Sequence, residues 1–102
     1  MTHFVEFVNY RVEEASEEKF LALRSAAILA VKAAHPALVS VPVLAQRPDG
    51  SWTDVWIYET QAAADAANAG AGDIPEFVAF SVVVDGVEIE TGRMPDAAVS
   101  PL

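Results

Sequence analysis

The sequence contains no cysteine and few basic residues, and both absences narrow the possible functions. Without cysteine, the 102-residue chain forms no disulfide, offers no thiolate to a metal and has no cysteine nucleophile. This composition agrees with a reducing cytoplasm, which is the compartment we expect. Six Lys and Arg stand against fifteen Asp and Glu, which gives a formal net charge of −9. Because nucleic acids and anionic membranes are bound through clustered Lys and Arg, we expect neither as a partner.

Long apolar runs are absent as well. The first ten residues, MTHFVEFVNY, have neither a basic start nor an unbroken apolar stretch, so the sequence predicts no signal peptide and no membrane span. The hydrophobic fraction is nevertheless 53%, which is high for a small domain. We expect a single domain over residues 1–94, followed by a C-terminal tail over 95–102.

The hydrophobic pattern predicts the order β-α-β-β-α-β. The predicted strands are 3–12, 37–47, 52–60 and a last strand centred on 87–93, and the predicted helices are 13–35 and one that starts near Gln61 and resumes at 74–80. Ser16 and Thr60 are good N-caps, and Pro36 ends the first helix. Pro42 lacks a backbone donor, so the second strand is predicted at a sheet edge or with a bulge.

This order predicts a ferredoxin-like α+β fold, in which a split βαββαβ chain forms a four-stranded antiparallel sheet with both helices on one face. The other face would then be bare. We expect Phe4, Val8, Tyr10 and one side of the third strand on it, which would leave a large apolar patch. A second copy of the chain could cover this patch, so the sequence predicts a homodimer through the open sheet face.

Residues 4–93 resemble the dimeric α/β-barrel superfamily, and most closely its antibiotic-biosynthesis-monooxygenase-like branch. The similar stretches are VEFVNYRV before the acidic helix start EEASEEKFLAL, then HPALVSVPVL, WIYETQAAADAA and DIPEFVAF. The resemblance implies a homodimer in which two sheets close a barrel, with a pocket between sheet and helices in each protomer. Relatives include cofactor-free monooxygenases that oxidise polyphenolic aromatics, haem-degrading enzymes, and small isomerases or lyases.

The resemblance also suggests site residues. Haem-degrading relatives carry an asparagine comparable to Asn9, but they also need a Trp and a His in the second helical region, and residues 67–80 contain neither. We therefore expect no haem, and no cofactor of any kind, because a substrate phenolate can itself reduce O₂ when a base and an apolar slot are present. The predicted catalytic residues are Asn9, His3 and Arg93, and the predicted ligand-binding residues are Phe7, Trp56, Tyr58, Phe77 and Phe80.

Structural roles compete with each of these assignments. Asn9 could hydrogen-bond locally, His3 could be a strand-end residue, and Arg93 could form an ion pair. The aromatic residues could pack in an interface instead of stacking on a flat substrate. Glu6 and Glu59 are mid- or late-strand carboxylates that, if buried in the dimer, would be paired or have a raised pKa. Glu59 could also be an interface or helix-start residue. Two histidines without a spaced carboxylate motif do not predict a metal site.

Two classes of function remain. The first is a cofactor-independent monooxygenase that acts on an aromatic, polyphenolic or quinone-like compound. The second is a non-catalytic dimeric module that binds a small molecule or only assembles. A polar residue inside an otherwise apolar slot would distinguish the enzyme from the module.

Overall fold

The computed structural model describes residues 2–13, 15–98 and 101–102. The strands are Thr2–Val12 (β1), Leu38–Gln46 (β2), Trp52–Tyr58 (β3) and Val84–Pro95 (β4), and the helices are Glu17–Ala34 (α1), Gln61–Gly70 (α2) and Pro75–Val82 (α3). Residue 14 of the predicted first helix and residues 99 and 100 of the predicted tail lie outside the described residues. The division into a domain over 1–94 and a tail over 95–102 stays a prediction.

The four strands form one antiparallel sheet in the order β2-β3-β1-β4. The sheet and its helices confirm the predicted ferredoxin-like α+β fold. β1 lies between β3 and β4, while β2 and β4 are the sheet edges. Pro42 lies in β2, where the pairing with β3 shifts register between Ser40 and Val43. Both predictions for Pro42, an edge position and an irregular ladder, are therefore confirmed.

Capping residues fix the helix ends at the predicted places. The Ser16 hydroxyl accepts a hydrogen bond from Lys19 N at 3.2 Å at the start of α1. The Thr60 hydroxyl accepts one from Ala63 N at 3.1 Å at the start of α2. Each bond satisfies a backbone donor that the first helical turn leaves free. A 3₁₀ turn over Ala71–Asp73 separates α2 from α3, which begins at Pro75. No helix within the described ranges is long and apolar enough to cross a membrane.

The helices cover the sheet face that we predicted to be bare, and this prediction is wrong. Tyr10 packs with Phe20 of α1 and Phe80 of α3, and Phe4 and Val8 pack against the same helix-side core. The reason is that this face carries the larger aromatic side chains, which bury more apolar area under the helices. The sequence periodicity separates the two faces of a strand but does not tell which face the helices cover.

The open face is formed by side chains of opposite parity. Val5 and Phe7 of β1 are paired with Ile57 and Val55 of β3. Phe7 is 40% exposed and Val43 of the neighbouring β2 is 46% exposed. An apolar patch therefore remains on the sheet, but its residues differ from those predicted.

Candidate functional site

A cavity of about 200 Å³ lies between the helix side of the sheet and α2 and α3. Its wall is mostly apolar. The lining residues come from all layers around it: Glu6, Val8 and Tyr10 of β1, Asp54, Trp56 and Tyr58 of β3, Ala67 and Asn68 of α2, Ala71 of the 3₁₀ turn, Phe77, Phe80 and Ser81 of α3, Val31 of α1, and Val84, Val87 and Ile89 of β4. Two carboxylates in such a wall are unusual, because burial disfavours charge unless it is paired.

The Asp54 carboxylate is fully buried and fully paired. Arg24 of α1 donates two hydrogen bonds to it, from Nε to Oδ2 at 2.9 Å and from Nη2 to Oδ1 at 2.8 Å. The Tyr10 hydroxyl donates a third to Oδ2 at 2.7 Å. This bidentate pair joins α1 to the middle of the sheet and keeps the Asp54 charge compensated.

The environment of this network also fixes the protonation of its members. Burial raises the pKa of Tyr10, and the neighbouring Asp54 charge raises it further, so the Tyr10 hydroxyl keeps its proton. Burial of Arg24 favours the neutral guanidine, but the hydrogen bonds and charge of Asp54 outweigh it and raise the pKa of Arg24. Tyr10 therefore remains a hydrogen-bond donor and Arg24 a cation in this network.

The Glu6 carboxyl is buried with much weaker compensation. Glu6 is 6% exposed, and Asn68 Nδ2 donates one hydrogen bond to its Oε2 at 2.9 Å. Burial raises the pKa of Glu6, the Asn68 hydrogen bond partly opposes this, and the charge of Asp65 adds to it. Burial, with the Glu6 charge, also raises the pKa of Tyr58. The sequence-based expectation was burial of Glu6 and Glu59 in the dimer, but Glu6 is buried under the helices of its own chain and Glu59 is exposed.

The Glu6 side of the cavity can therefore exchange a proton with a bound molecule. A carboxyl group whose pKa is raised toward neutrality is a better base once ionised, and it can return the proton afterwards. Perturbed carboxyl groups in an apolar cleft are frequent in active sites. Within the described ranges, no three His, Asp or Glu side chains gather as metal ligands would.

The predicted ligand-binding residues divide between the two faces of the sheet. Trp56, Tyr58, Phe77 and Phe80 all line the cavity. Phe7 lies on the open face, where its ring approaches Gly92. The structure thus brings four of the five predicted side chains together around one space.

The predicted catalytic residues do not line this cavity. Asn9 lies on the open face, where its Oδ1 accepts hydrogen bonds from Thr53 Oγ1 at 2.7 Å and from Arg47 Nη2 at 3.4 Å. His3 and Arg93 border a second, more open depression of about 440 Å³ at the end of the sheet. There, His3 Nδ1 is 3.2 Å from Asp96 Oδ1.

The sequence-based site prediction did not include Glu6, Asp54, Arg24 or Asn68. The available signal was strand parity: Glu6 shares a face with Tyr10, and Asp54 shares one with Trp56. Carboxylates that alternate in register with buried aromatic residues are expected to be buried too. Arg24 and Asn68 carry no such signal, because their proximity depends on how the helices are rotated over the sheet.

Comparisons with known proteins agree on the fold. No family model matches the sequence, and no curated protein matches it either. Among solved structures, the chain is similar to SnoaB, a cofactor-independent oxygenase from Streptomyces nogalater, at 20% identity and a TM-score of 0.63, covering 97% of this chain and 98% of that one. It is also similar to a putative antibiotic biosynthesis monooxygenase from Caulobacter crescentus, at 18% identity and a TM-score of 0.67, covering 88% and 87%.

A NIPSNAP family protein from Agrobacterium tumefaciens is a third similar structure, at 18% identity and a TM-score of 0.64, covering 92% of this chain and 87% of that one. Such identities report on the fold alone. The sheet order, the helices on one face and these similar structures lead to one conclusion, which confirms the resemblance seen in the sequence. The chain has the ferredoxin-like α+β fold that SnoaB and the antibiotic-biosynthesis-monooxygenase-like proteins also have.

Proposed function

We propose that the chain binds a small aromatic molecule in the cavity and oxidises it as a cofactor-independent monooxygenase, with Glu6 as the base. The observation that carries this proposal is the Glu6 carboxyl, buried with a raised pKa in the wall of a mostly apolar cavity. The similarity in fold to a cofactor-independent oxygenase supports it. The substrate class is a phenolic or quinone-like compound.

In the proposed reaction, the Glu6 carboxylate takes the proton of the substrate hydroxyl. The resulting phenolate transfers one electron to O₂, which gives a phenoxyl radical and superoxide. The two combine at a ring carbon that carries hydrogen, and the Glu6 carboxylic acid returns its proton to the peroxide. Loss of water across that C–H and the O–O bond leaves a quinone carbonyl, so a phenol and O₂ yield a quinone and water.

The chain's own contribution is placement and protonation. The apolar wall excludes water, which strengthens the interaction between Glu6 and a substrate hydroxyl. Because the pKa of Tyr58 is raised, its hydroxyl keeps its proton beside Glu6. Positioned proton transfer of this kind typically accelerates a reaction by about 10²–10⁴-fold.

The test is oxygen uptake with a panel of single-ring and fused-ring phenols. We expect Glu6→Gln to lower the rate by about 10²–10⁴-fold, because the amide keeps the shape but cannot accept a proton. Glu90→Gln is the matched control. Glu90 is exposed and lies opposite Phe7 in the β1–β4 register, on the sheet face that points away from the cavity. If the wild-type protein binds phenols but consumes no oxygen, the non-catalytic ligand-binding module replaces this proposal.

Asn9→Ala belongs in the same assay, because it tests the sequence-based prediction that Asn9 is catalytic. A large loss of rate in Asn9→Ala together with an unchanged rate in Glu6→Gln would move the chemistry from the cavity to the open face. The reverse result would assign the base to Glu6.

We also propose that a second copy of the chain covers the open sheet face. Phe7, Val43 and Val39 are each at least 40% exposed, and Val55 and Ile57 lie between them on the sheet. A two-fold axis would bring this patch against its own copy, which is the common form of homodimer contact. Sedimentation velocity at micromolar concentration should give the mass of a dimer, and Phe7→Asp should give a monomer. A wild-type monomer would contradict the proposal.

A further inference from the structure

The cavity is small for the polycyclic compounds that the resemblance suggests. Its volume is about 200 Å³. An apolar protein cavity of about 150 Å³ takes up benzene, whereas pockets for larger ligands begin at about 300 Å³. The space therefore suits one substituted aromatic ring.

The walls that set this volume differ in how firmly they are held. Phe80 is 5% exposed and contacts the rings of Tyr10, Phe20 and Phe77, each with a centroid distance of about 6.1 Å. Among the residues that the structure describes, Phe77 makes a ring contact with Phe80 alone, and Phe77 is partly exposed. Phe80 is thus a fixed wall, and Phe77 is the aromatic wall whose size can be changed with least damage to the core.

The charges around the cavity select against anions. Arg24 is engaged by Asp54 through both hydrogen bonds of the bidentate pair. No Lys, Arg or His side chain of the described residues lines the cavity, while Glu6 does. A carboxylate or sulfonate on the ligand would lie near an uncompensated carboxyl with no cation to receive it.

We propose that the ligand of this cavity is an uncharged molecule with a single aromatic ring, whose hydroxyl donates a hydrogen bond to Glu6. The inference rests on the proposed function for the location of the site, but it concerns binding and does not require turnover. It narrows the substrate from polyphenolic compounds in general to phenols and hydroquinones of one ring. Phe77 is then the specificity-determining residue that excludes a second ring.

Isothermal titration of the full chain with phenol, 1-naphthol, 1-hydroxyanthracene and 4-hydroxybenzoate tests the inference. We expect the wild-type protein to bind phenol about tenfold more tightly than either fused-ring compound and to show no binding of 4-hydroxybenzoate. Phe77→Ala should raise the affinity for 1-naphthol about tenfold without the same gain for phenol. Val82→Ala is the matched control, because Val82 lies on the same helix and is 68% exposed.

A second variant tests the cavity without removing a packed side chain. Ala67→Leu adds three carbons to a lining position that is 4% exposed, so it should abolish phenol binding while the protein stays folded by circular dichroism. The inference is overturned if 1-naphthol or 1-hydroxyanthracene binds the wild-type protein as tightly as phenol, or if phenol does not bind at millimolar concentration. Size-selective binding without oxygen uptake would leave the inference standing and remove the proposed oxygenase activity.

Discussion

The cavity wall holds two carboxylates at similar depth but in opposite electrostatic situations. Asp54 accepts three hydrogen bonds, two of them from the Arg24 guanidinium. Glu6 lies on the same sheet face one strand away and accepts one hydrogen bond, from the neutral amide of Asn68. Burial raises the pKa of Glu6, and no cation among the described residues forms an ion pair with it.

This difference is the reason why Glu6, and not Asp54, is proposed as the base. A charge that is fully paired in the core fixes the position of the elements it joins. A carboxyl group that is desolvated and only partly satisfied has a raised pKa and therefore binds its proton more tightly. Each prediction below changes the groups around one of the two carboxylates and leaves those around the other unchanged.

The largest effect is expected from Arg24→Met, which leaves the Asp54 charge buried without its cation. Breaking a buried pair in this way typically costs about 3–5 kcal/mol. Urea unfolding should show this loss in the free energy of unfolding, and the double variant with Asp54→Asn should recover part of it because the amide carries no charge.

The matched control for Arg24→Met is Arg11→Met. The Arg11 Nη2–Asp49 Oδ2 distance is 3.7 Å, and both side chains are more than half exposed. Exposed pairs contribute about 0–1 kcal/mol, so this variant should unfold close to the wild type. Equal losses in the two variants would show that the Arg24–Asp54 pair is no more important than a surface pair.

A smaller loss is expected from Tyr10→Phe, which keeps the ring packed against Phe20 but removes the hydroxyl that donates to Asp54. A hydrogen bond to a charged group is worth about 1.5–3 kcal/mol. Tyr58→Phe is the comparison at the Glu6 end, where the described residues offer the Tyr58 hydroxyl no hydrogen bond. If the free energy of unfolding falls equally in both variants, the Asp54 network does not carry the stability assigned to it.

The smallest effect is a dependence of stability on pH that comes from Glu6. Because the pKa of Glu6 is raised in the folded chain, the folded state keeps a proton that the unfolded state releases near its ordinary pKa of 4.5. The free energy of unfolding should therefore fall as pH rises from that value through the raised pKa, by at most about 1.4 kcal/mol per pH unit.

Glu6→Gln has no proton to lose at this position, so the difference between its unfolding curve and the wild-type curve isolates Glu6. The Asn68 hydrogen bond holds the pKa of Glu6 down, so its removal in Asn68→Ala should raise this pKa further. The fall in stability should then extend to higher pH. Wild type and Glu6→Gln curves that stay parallel across this range would mean that Glu6 is not perturbed.

Local patterns predicted the elements of this fold well. Ser16, Thr60 and Pro42 each act through their own backbone neighbourhood, so their effects could be read from the sequence. The sequence could not show which face of the sheet the helices cover, because the alternation of side chains is symmetric between the two sides of a strand. The Arg24–Asp54 pair joins residues 30 positions apart, and the Glu6–Asn68 bond joins residues 62 apart.

The same limit explains the candidate site. The aromatic residues of the cavity were predicted, since large apolar side chains on strands and helices converge in a core. Their polar partners depend on the packing angle of α1 and α2 over the sheet. Asn9 was chosen through the resemblance, and its hydrogen bonds to Thr53 and Arg47 lie on the far side of the sheet from Glu6.

Pro42 has a consequence for how copies of this chain can meet. A sheet edge with free backbone donors invites a neighbouring strand and leads toward filament growth, and Pro42 removes such a donor from the middle of the β2 edge. The opposite edge, β4, carries Asp85, Glu88 and Glu90 with like charge. Edge-to-edge pairing of sheets into fibrils is therefore disfavoured at both sheet edges.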